Sequence, residues 1–235
     1  MTSQGGLRYV YAVCRPFAAA LQAQLTGVAG VPPGLLRHHG LVAVVSTVPE
    51  GDFAEEPLRE HLADPDWTAA TARAHQCVID ALTTVTTPLP LRPATVFRDD
   101  SGVRIMMEAR EAEFLHTLDR LDGRVEWGVK LYAGPPGQPA PAAEEFARVL
   151  HERLSGRAED CRLHPPQPAA LSGASGQNLL NAAYLVSRAD SEQFVELVDR
   201  TRDEAPTTRV ELTGPWAAYS FTEPITEPAE VREQP

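Results

Sequence analysis

The second half of the chain alternates strand and helix patterns in an order that few folds accept. A first strand is predicted over residues 125–131, where apolar residues alternate with polar or small ones, because alternate side chains of a strand share one face. The later strands are predicted at residues 158–163, 181–187 and 209–213, and the helices at the apolar stripes of residues 146–154 and 194–198. The resulting order, βαββαβ, is typical of the ferredoxin-like fold, in which right-handed crossovers place both helices on one face of the sheet.

The first half is predicted to be a mixed domain with two long helices. Residues 8–14 and the apolar run at 41–46 indicate strands, the second of them buried on both faces. Asp64-Pro65 is an N-cap followed by proline, and the apolar stripe behind it predicts the first long helix. A second long helix is predicted from about Asp99 to the stop signal Asp122-Gly123.

These patterns predict an α+β protein with two domains. We place an N-terminal α+β domain at residues 1–122 and a ferredoxin-like C-terminal domain at residues 123–221. Residues 222–235 contain proline, glutamate and threonine with few apolar groups. That composition is typical of a disordered acidic tail.

Charge and hydropathy argue against several kinds of partner. The chain has 32 acidic and 21 basic residues and a net charge of −11, whereas phosphate binding requires clustered lysine and arginine. We therefore expect no nucleic-acid partner and no docking on an anionic membrane surface. No segment approaches the roughly 18 apolar residues of a membrane span. Three widely separated cysteines without a CxxC pair fit a reducing compartment, so a cytoplasmic protein is expected.

No residue pattern predicts catalysis or metal binding. His75 and Cys77 are two positions apart on the first long helix, where side chains do not face each other. We expect a histidine on the helix flank and a buried thiol. His38-His39 has no third zinc ligand nearby, and Asp99-Asp100 suits a helix N-terminus better than a cation. We therefore predict no catalytic residue, no metal, no cofactor and no small-molecule substrate.

Three charged residues are candidates for contacts between the domains. Glu126 and Lys130 share a strand face but lie about 13 Å apart at a rise of ~3.3 Å per residue, too far to touch each other. In one interpretation each pairs across the sheet or with the other domain, and in the alternative each faces solvent. Arg92 lies in an apolar setting between Leu91 and Pro93, where it either bridges the domains through a carboxylate or lies on a loop surface.

The last segment with a clear strand pattern ends in aromatic residues. A short alternating strand runs into Gly214-Pro215, and Trp216, Tyr219 and Phe221 follow. We expect these rings to pack against the body of the fold, with the polar atoms of the tryptophan and the tyrosine finding partners.

Several of these segments resemble, in the same order, motifs of the GvpL/GvpF family of gas vesicle proteins. The matching segments are Tyr9-Val10-Tyr11-Ala12-Val13, Pro88-Leu89-Pro90-Leu91-Arg92 with Thr95-Val96-Phe97, Glu126-Trp127-Gly128-Val129-Lys130, Ala183-Tyr184-Leu185, and Leu212-Thr213-Gly214-Pro215-Trp216 with Tyr219-Ser220-Phe221. Two turns depart from the family pattern. Pro93-Ala94 stands where the family usually has Phe-Gly, and Ala217-Ala218 stands where it usually has two prolines.

The resemblance implies both a fold and a role. It implies an α+β N-terminal domain joined to a modified ferredoxin-like domain, with tyrosines fixing the two together. It also implies an accessory or minor structural protein of gas vesicle formation, which binds the very hydrophobic shell protein or other assembly factors and catalyses no reaction. An open sheet edge at residues 158–163 and the domain cleft are the candidate contact surfaces. The expected domain-interface or structural positions are Tyr9, Tyr11, Arg92, Glu126, Lys130, Tyr184, Trp216 and Tyr219.

The rival interpretation is a small enzyme. Ferredoxin-like domains also serve as oxygenases and heme-handling proteins, which is an analogy of fold alone. Such an enzyme requires a deep pocket with convergent polar groups, for which His75, His151 and His164 are the candidates. An enclosed pocket around a histidine favours catalysis, whereas an interior filled by side chains favours binding.

Overall fold

The first half of the chain builds one sheet with helices on both of its faces. The computed structural model describes residues 6–18, 21, 24–133, 140–166, 176–204 and 208–222. The strands of this half are β1 (Gly6–Cys14), β2 (Gly34–His38), β3 (Leu41–Pro49), β4 (Leu89–Pro90) and β5 (Val96–Phe97). The helices are α1 (Glu50–Phe53), α2 (Glu55–Leu62), α3 (Pro65–Thr83), α4 (Asp100–Ala109) and α5 (Glu111–Leu121). The antiparallel sheet has the order β2-β3-β1-β4, and β5 also pairs with β1.

β1 is the central strand of this sheet, and both of its faces are buried. On one face Tyr9 and Tyr11 share a core with Ile79 of α3. On the other face Val10 shares a core with Met107 of α4. Because helices cover both faces, β1 and the neighbouring β3 carry nearly continuous apolar runs, and the predicted burial of β3 on both faces is confirmed.

The second half forms a second antiparallel sheet with helices on one face. Its elements are β6 (Arg124–Tyr132), α6 (Ala140–Ser155), β7 (Asp160–Leu163), β8 (Asn178–Ser187), α7 (Ser191–Glu204) and β9 (Arg209–Trp216). The strand order is β7-β8-β6-β9, with antiparallel neighbours throughout. Val129 of β6 packs in one core with Leu150 of α6 and Val198 of α7. The predicted element order is therefore confirmed, and the molecule is a mixed α+β fold with two antiparallel sheets.

The second long helix predicted for the first half is broken into α4 and α5. Asp99 caps α4 as expected, since its side chain accepts a hydrogen bond from the Gly102 N–H at 2.9 Å. The helix then stops at Arg110, whose φ of −124° and ψ of 18° leave the helical region. Arg110 forms an ion pair with Glu113, one turn on, and its guanidinium lies 4.7 Å from the centre of the Phe114 ring. The cap of α3 by Asp64 is confirmed, and Gly123 ends α5 with the expected positive φ of 69°.

A strand that the sequence pattern did not predict, β2, forms a hairpin with β3. The turn is His39-Gly40, whose φ values of 45° and 76° are both positive, as this tight type of hairpin requires. His38-His39 therefore lies at a hairpin end rather than in a loop before the strand. The predicted loops after β6 and β7, and the predicted disordered tail at residues 222–235, lie wholly or largely outside the described residues.

The helices within the described ranges include none whose length and apolar character suit it to cross a membrane.

Candidate functional site

A short segment that follows β9 lies between the two sheets, and we call residues 217–222 the closing segment. Ala217 and Tyr219 pack with the core of the first half, in the cluster that contains Tyr9 and Tyr11. The intervening Ala218 packs in the opposite direction. The segment therefore contacts both halves of the chain at once.

The face of the second sheet that carries no helices also contacts the closing segment. Ala183 and Leu185 of β8 lie on this face and pack with Leu121 of α5 and with Ala218 and Phe221 of the closing segment. All five residues are at most 3% exposed. The alternation along β8 thus sends one set of side chains to the helix-covered core and the other set to the junction between the halves.

Glu126 of β6 holds the closing segment through two hydrogen bonds. The Ser220 N–H donates to Oε2 at 2.8 Å and the Ser220 hydroxyl donates to Oε1 at 2.7 Å. Because that hydroxyl proton is directed at the carboxylate, Ser220 Oγ accepts from His164 Nε2, 3.1 Å away. Burial raises the pKa of the Glu126 carboxyl, and the hydrogen bonds from Ser220 oppose the rise.

Tyr9 lies at the other side of the closing segment and bonds to a buried histidine. Its hydroxyl accepts from the Ala94 N–H at 3.0 Å, so it donates its own proton to His75 Nδ1, also 3.0 Å away. His75 is 1% exposed, and its Nε2 contacts no acceptor among the described residues. Burial lowers the pKa of His75 to about 4, which keeps the imidazole neutral. The same burial raises the pKa of Tyr9, so the phenol serves as a hydrogen-bond donor.

Tyr11 fixes the loop before β2 and contacts no ligand site. Its hydroxyl accepts from the Val28 N–H at 2.8 Å and donates to Ser46 Oγ at 2.9 Å. A Cβ atom added at Gly27 would lie 2.2 Å from the Tyr11 hydroxyl oxygen. The absence of a side chain at Gly27 therefore lets the phenol reach the loop backbone, and the role of Tyr11 here is structural.

Two aromatic candidates, Tyr184 and Trp216, are not members of the junction cluster. Tyr184 lies in the core of the second half, where its hydroxyl is 2.8 Å from His151 Nδ1, and its neighbours Ala183 and Leu185 are the ones that reach the junction. Trp216 was expected to pack against the body, but its side chain is at the end of β9 and the residue is 39% exposed. The end of the strand therefore leaves a substantial part of this residue exposed to solvent.

The histidine and the cysteine of α3 exchange their expected environments. His75, expected on the flank, is buried beneath Tyr9, and Cys77, expected to be buried, is exposed. The two positions are about 200° apart around the helix axis at 3.6 residues per turn. They therefore lie near opposite borders of the predicted apolar stripe. The buried face is turned towards the His75 side, where Val78, Ile79 and Leu82 are also buried.

Arg92 and Lys130 are the other two charged candidates. Lys130 lies opposite Asn181 and Glu211 in the register of the second sheet, a position suited to contacts across the strands. Arg92 is exposed, and within the described residues it forms no ion pair. The carboxylate that was expected to bridge Arg92 to the other domain is therefore not among the described residues.

A groove of about 160 Å³ opens beside Arg92, between α5, β4 and the closing segment. Its lining combines apolar, hydroxyl-bearing and charged side chains, the charged ones being Arg92, Arg110 and Glu113, and no histidine is among them. The lining residues are Leu89, Pro90, Leu91, Arg92, Arg110, Glu113, Phe114, Thr117, Tyr219 and Thr222. The mid-chain motif and the closing motif, far apart in sequence, thus meet at one surface.

Ser220 and Leu185 make contacts at the junction that sequence reasoning did not predict. The signal for Leu185 was present in the alternation of β8, which implies a second face. No sequence signal pointed to the bond between Ser220 and Glu126, because the two residues are 94 positions apart. Among the described residues there is also no cluster of three or more His, Cys, Asp or Glu suited to a metal ion.

The bonds between Glu126 and Ser220 predict measurable coupling. In a double-mutant cycle of Glu126→Ala and Ser220→Ala, we expect a coupling energy of about 1.5 kcal/mol in the free energy of unfolding. The reason is that the partly buried carboxylate accepts a hydrogen bond from the serine hydroxyl. Urea unfolding of the four proteins measures it. A cycle of Glu126→Ala with the exposed Ser101→Ala is the control. Additive effects in the first cycle would contradict the assigned contact.

Comparison with known sequences associates these features with one family. The sequence profile described as "Gas vesicle synthesis protein GvpL/GvpF" matches residues 7–142 and 138–223. The chain is 52% identical to gas vesicle protein L of Streptomyces sp. (strain CB03234) over 247 residues, which cover 92% of each protein. It is 26% identical to gas vesicle protein F of the same strain, over 92% of this chain and 99% of that protein.

Comparison with solved structures agrees on the fold. The crystal structure of the gas vesicle protein GvpF from Anabaena sp. PCC7120 matches with a TM-score of 0.73 at 16% identity, covering 93% of this chain and 97% of that one. The fold is thus retained where the sequences have largely diverged. Together with the matching profile and the relative at 52% identity, it leads to one conclusion: the chain belongs to the GvpL/GvpF family and is a protein of gas vesicle formation.

Proposed function

We propose that this chain is an accessory or minor structural protein of gas vesicle formation that acts in the cytoplasm by binding other polypeptides. The partners are the hydrophobic shell protein or other assembly factors. The observation that carries the proposal is the 52% identity to gas vesicle protein L across 92% of both chains. The identity to gas vesicle protein F of the same strain is 26%, which favours an L-type role.

We further infer a two-domain organisation, with the first domain at residues 1–122 and a ferredoxin-like domain at residues 123–221. The strand order β7-β8-β6-β9 and the placement of both helices on one face support the ferredoxin-like assignment. The closing segment, which contacts both cores, would then act as the tie between the domains. Tyr9 and Tyr219 belong to that tie, as the family resemblance implied.

The environments of the candidate histidines favour binding over the enzymatic alternative. His75 bonds to Tyr9 within a packed core, and His151 bonds to Tyr184. His164 is exposed and donates to Ser220. None of the three lines the groove beside Arg92. A general base needs a free acceptor nitrogen within reach of a substrate proton, and His75, whose acceptor nitrogen is used by Tyr9, does not offer one.

The edge strand β7 is the contact surface that we consider first. Within the described ranges it pairs with β8 alone, and Leu163 at its end is 64% exposed. An open edge offers unpaired backbone groups for strand addition, and an exposed leucine adds apolar area. These features suit a partner with apolar surface, which is the character of the shell protein that the family resemblance implies.

Co-purification tests the proposal directly. The tagged full-length chain is expressed with the gas vesicle genes, and the shell protein and other assembly factors are sought in the recovered complex. We expect Leu163→Lys to reduce recovery of the partner and the yield of vesicles. Leu62→Lys is the matched control, since Leu62 is an exposed leucine of the other half. Loss of vesicles while every complex is still recovered would contradict a binding role.

A further inference from the structure

Helix α2 lies on the surface of the first half and contributes no buried residue to it. We propose that α2 is a flap, which opens while the rest of the protein stays folded and uncovers apolar surface on the core of the first half. This goes beyond the proposed function, because it concerns a movement within the first half, whereas the edge strand β7 belongs to the second.

The first observation is the exposure of α2. Its carboxylates and its arginine are all exposed, and Leu58, which packs with the core that contains Phe53, is only half-buried. Isolated helices shorter than about 12 residues are marginal in water, and α2 has eight residues. The stability of α2 therefore depends on the contacts of a few side chains with the body of the fold.

The second observation is that extended residues bound α2 at both ends. Ala54, which separates α1 from α2, has a φ of −67° and a ψ of 161°, and its side chain provides no cap. Asp64, which precedes α3, has a φ of −89° and a ψ of 112°, and its side chain caps α3 rather than α2. Hinges in proteins are commonly one or a few residues at the ends of elements. These two joints therefore allow α2 to move without disturbing the start of α3.

The third observation is that one side chain of α2 joins it to both neighbouring helices. The His61 ring lies nearly parallel to the Trp67 ring of α3, with the ring centres 4.9 Å apart and an angle of 9° between the planes. His61 Nε2 also lies 3.6 Å from the Asp52 carboxylate of α1. Near the second joint, the Thr68 hydroxyl donates to the Leu62 carbonyl at 3.3 Å. A stacked ring pair changes an equilibrium constant by about tenfold at most, so these contacts hold the flap closed only weakly.

Opening of α2 would expose rings rather than polar groups. It removes the His61 ring from the face of Trp67, and Leu58 from the core. The Trp67 ring centre lies 5.5 Å from that of Phe53, which in turn meets the Tyr9 ring edge to face. The uncovered surface is thus continuous with the core of the first half, and the closed flap keeps it from solvent.

Hydrogen exchange of the full-length chain, followed by NMR at constant pH, tests the flap. We expect the amides of residues 58–62 to be about a hundredfold less protected than those of residues 75–82 of α3, because exchange in α2 requires only local opening. His61→Ala should speed exchange at residues 58–62 by about fivefold and leave residues 75–82 unchanged. His116→Ala, which changes an exposed histidine of α5, is the control and should alter neither. Equal protection of the two helices, or an effect of His61→Ala that is absent from α2 or equal in both helices, would overturn the proposal.

A matched pair of variants distinguishes opening from fraying in place. Glu60 is an exposed residue of α2, and glycine is less favourable than alanine in a helix by a factor of about five. We expect Glu60→Gly to speed exchange at residues 58–62 by about fivefold relative to Glu60→Ala. Hydroxyl-radical oxidation of Trp67, read by mass spectrometry, is expected to rise in Glu60→Gly alone, since opening exposes the ring. Unchanged exchange would contradict local opening, and faster exchange without greater oxidation of Trp67 would show that α2 unwinds where it lies and is not a flap.

Discussion

Phe221→Ala is expected to lower the free energy of unfolding by about 4 kcal/mol, within the range for truncating a buried phenylalanine. Phe221 is 2% exposed and packs with Leu121, Ala183 and Leu185 at the junction between the halves. The guanidinium of Arg162 lies 5.5 Å from its ring centre. The cavity left behind would lie between two sheets, neither of which is able to close around it alone. Denaturant unfolding followed by circular dichroism measures the loss.

Trp216→Ala is the control for this experiment. It removes a larger aromatic ring only five positions earlier, but the residue is 39% exposed, so the expected loss is below about 1 kcal/mol. A loss for Trp216→Ala equal to that for Phe221→Ala would contradict the junction described here. An unfolding transition that splits into two in Phe221→Ala would instead show that the closing segment couples two separate domains.

Mild acid is expected to destabilise the protein through His75. Burial lowers the pKa of this histidine from its ordinary 6.5 to about 4, so the unfolded chain binds more protons than the folded chain between these values. The stability that results is fully present above pH 6.5 and is lost as the pH falls towards 4. The loss over this window is about 3 kcal/mol at 1.36 kcal/mol per pKa unit. Urea unfolding between pH 7.5 and pH 4 follows it.

His75→Asn isolates this contribution. Asparagine places an acceptor near the position of Nδ1 and does not titrate, so Tyr9 retains a partner and the pH dependence should flatten. His116→Asn is the matched control, since His116 is an exposed histidine on α5. Glu126 acts in the opposite direction, because burial raises the pKa of its carboxyl. The stability that it contributes is present below its ordinary pKa and is lost as the pH rises through the raised pKa. A pH profile unchanged by His75→Asn would show that His75 is not the group responsible.

Local chemistry made much of the fold predictable. The alternation along β6, the caps of α3 and α4 by Asp64 and Asp99, and the stop at Gly123 depend on residues close in sequence. The break at Arg110 was not predictable in this way, because an apolar stripe continues across it. The spread of short motifs from residue 9 to residue 221 was sufficient to identify the GvpL/GvpF family, which the profile match and the relative at 52% identity confirm.

The sequence by itself determined the order of the elements in the second half, the buried face of β6 and the family. Periodicity and capping act over a few residues, so a single chain of letters reports them. Only the tertiary structure decided that His75 rather than Cys77 is buried, that Leu185 rather than Tyr184 reaches the junction, and that Ser220 bonds to Glu126. Those outcomes depend on which surfaces meet after the two sheets form, and contacts between residues about 90 positions apart leave no periodic trace in one sequence.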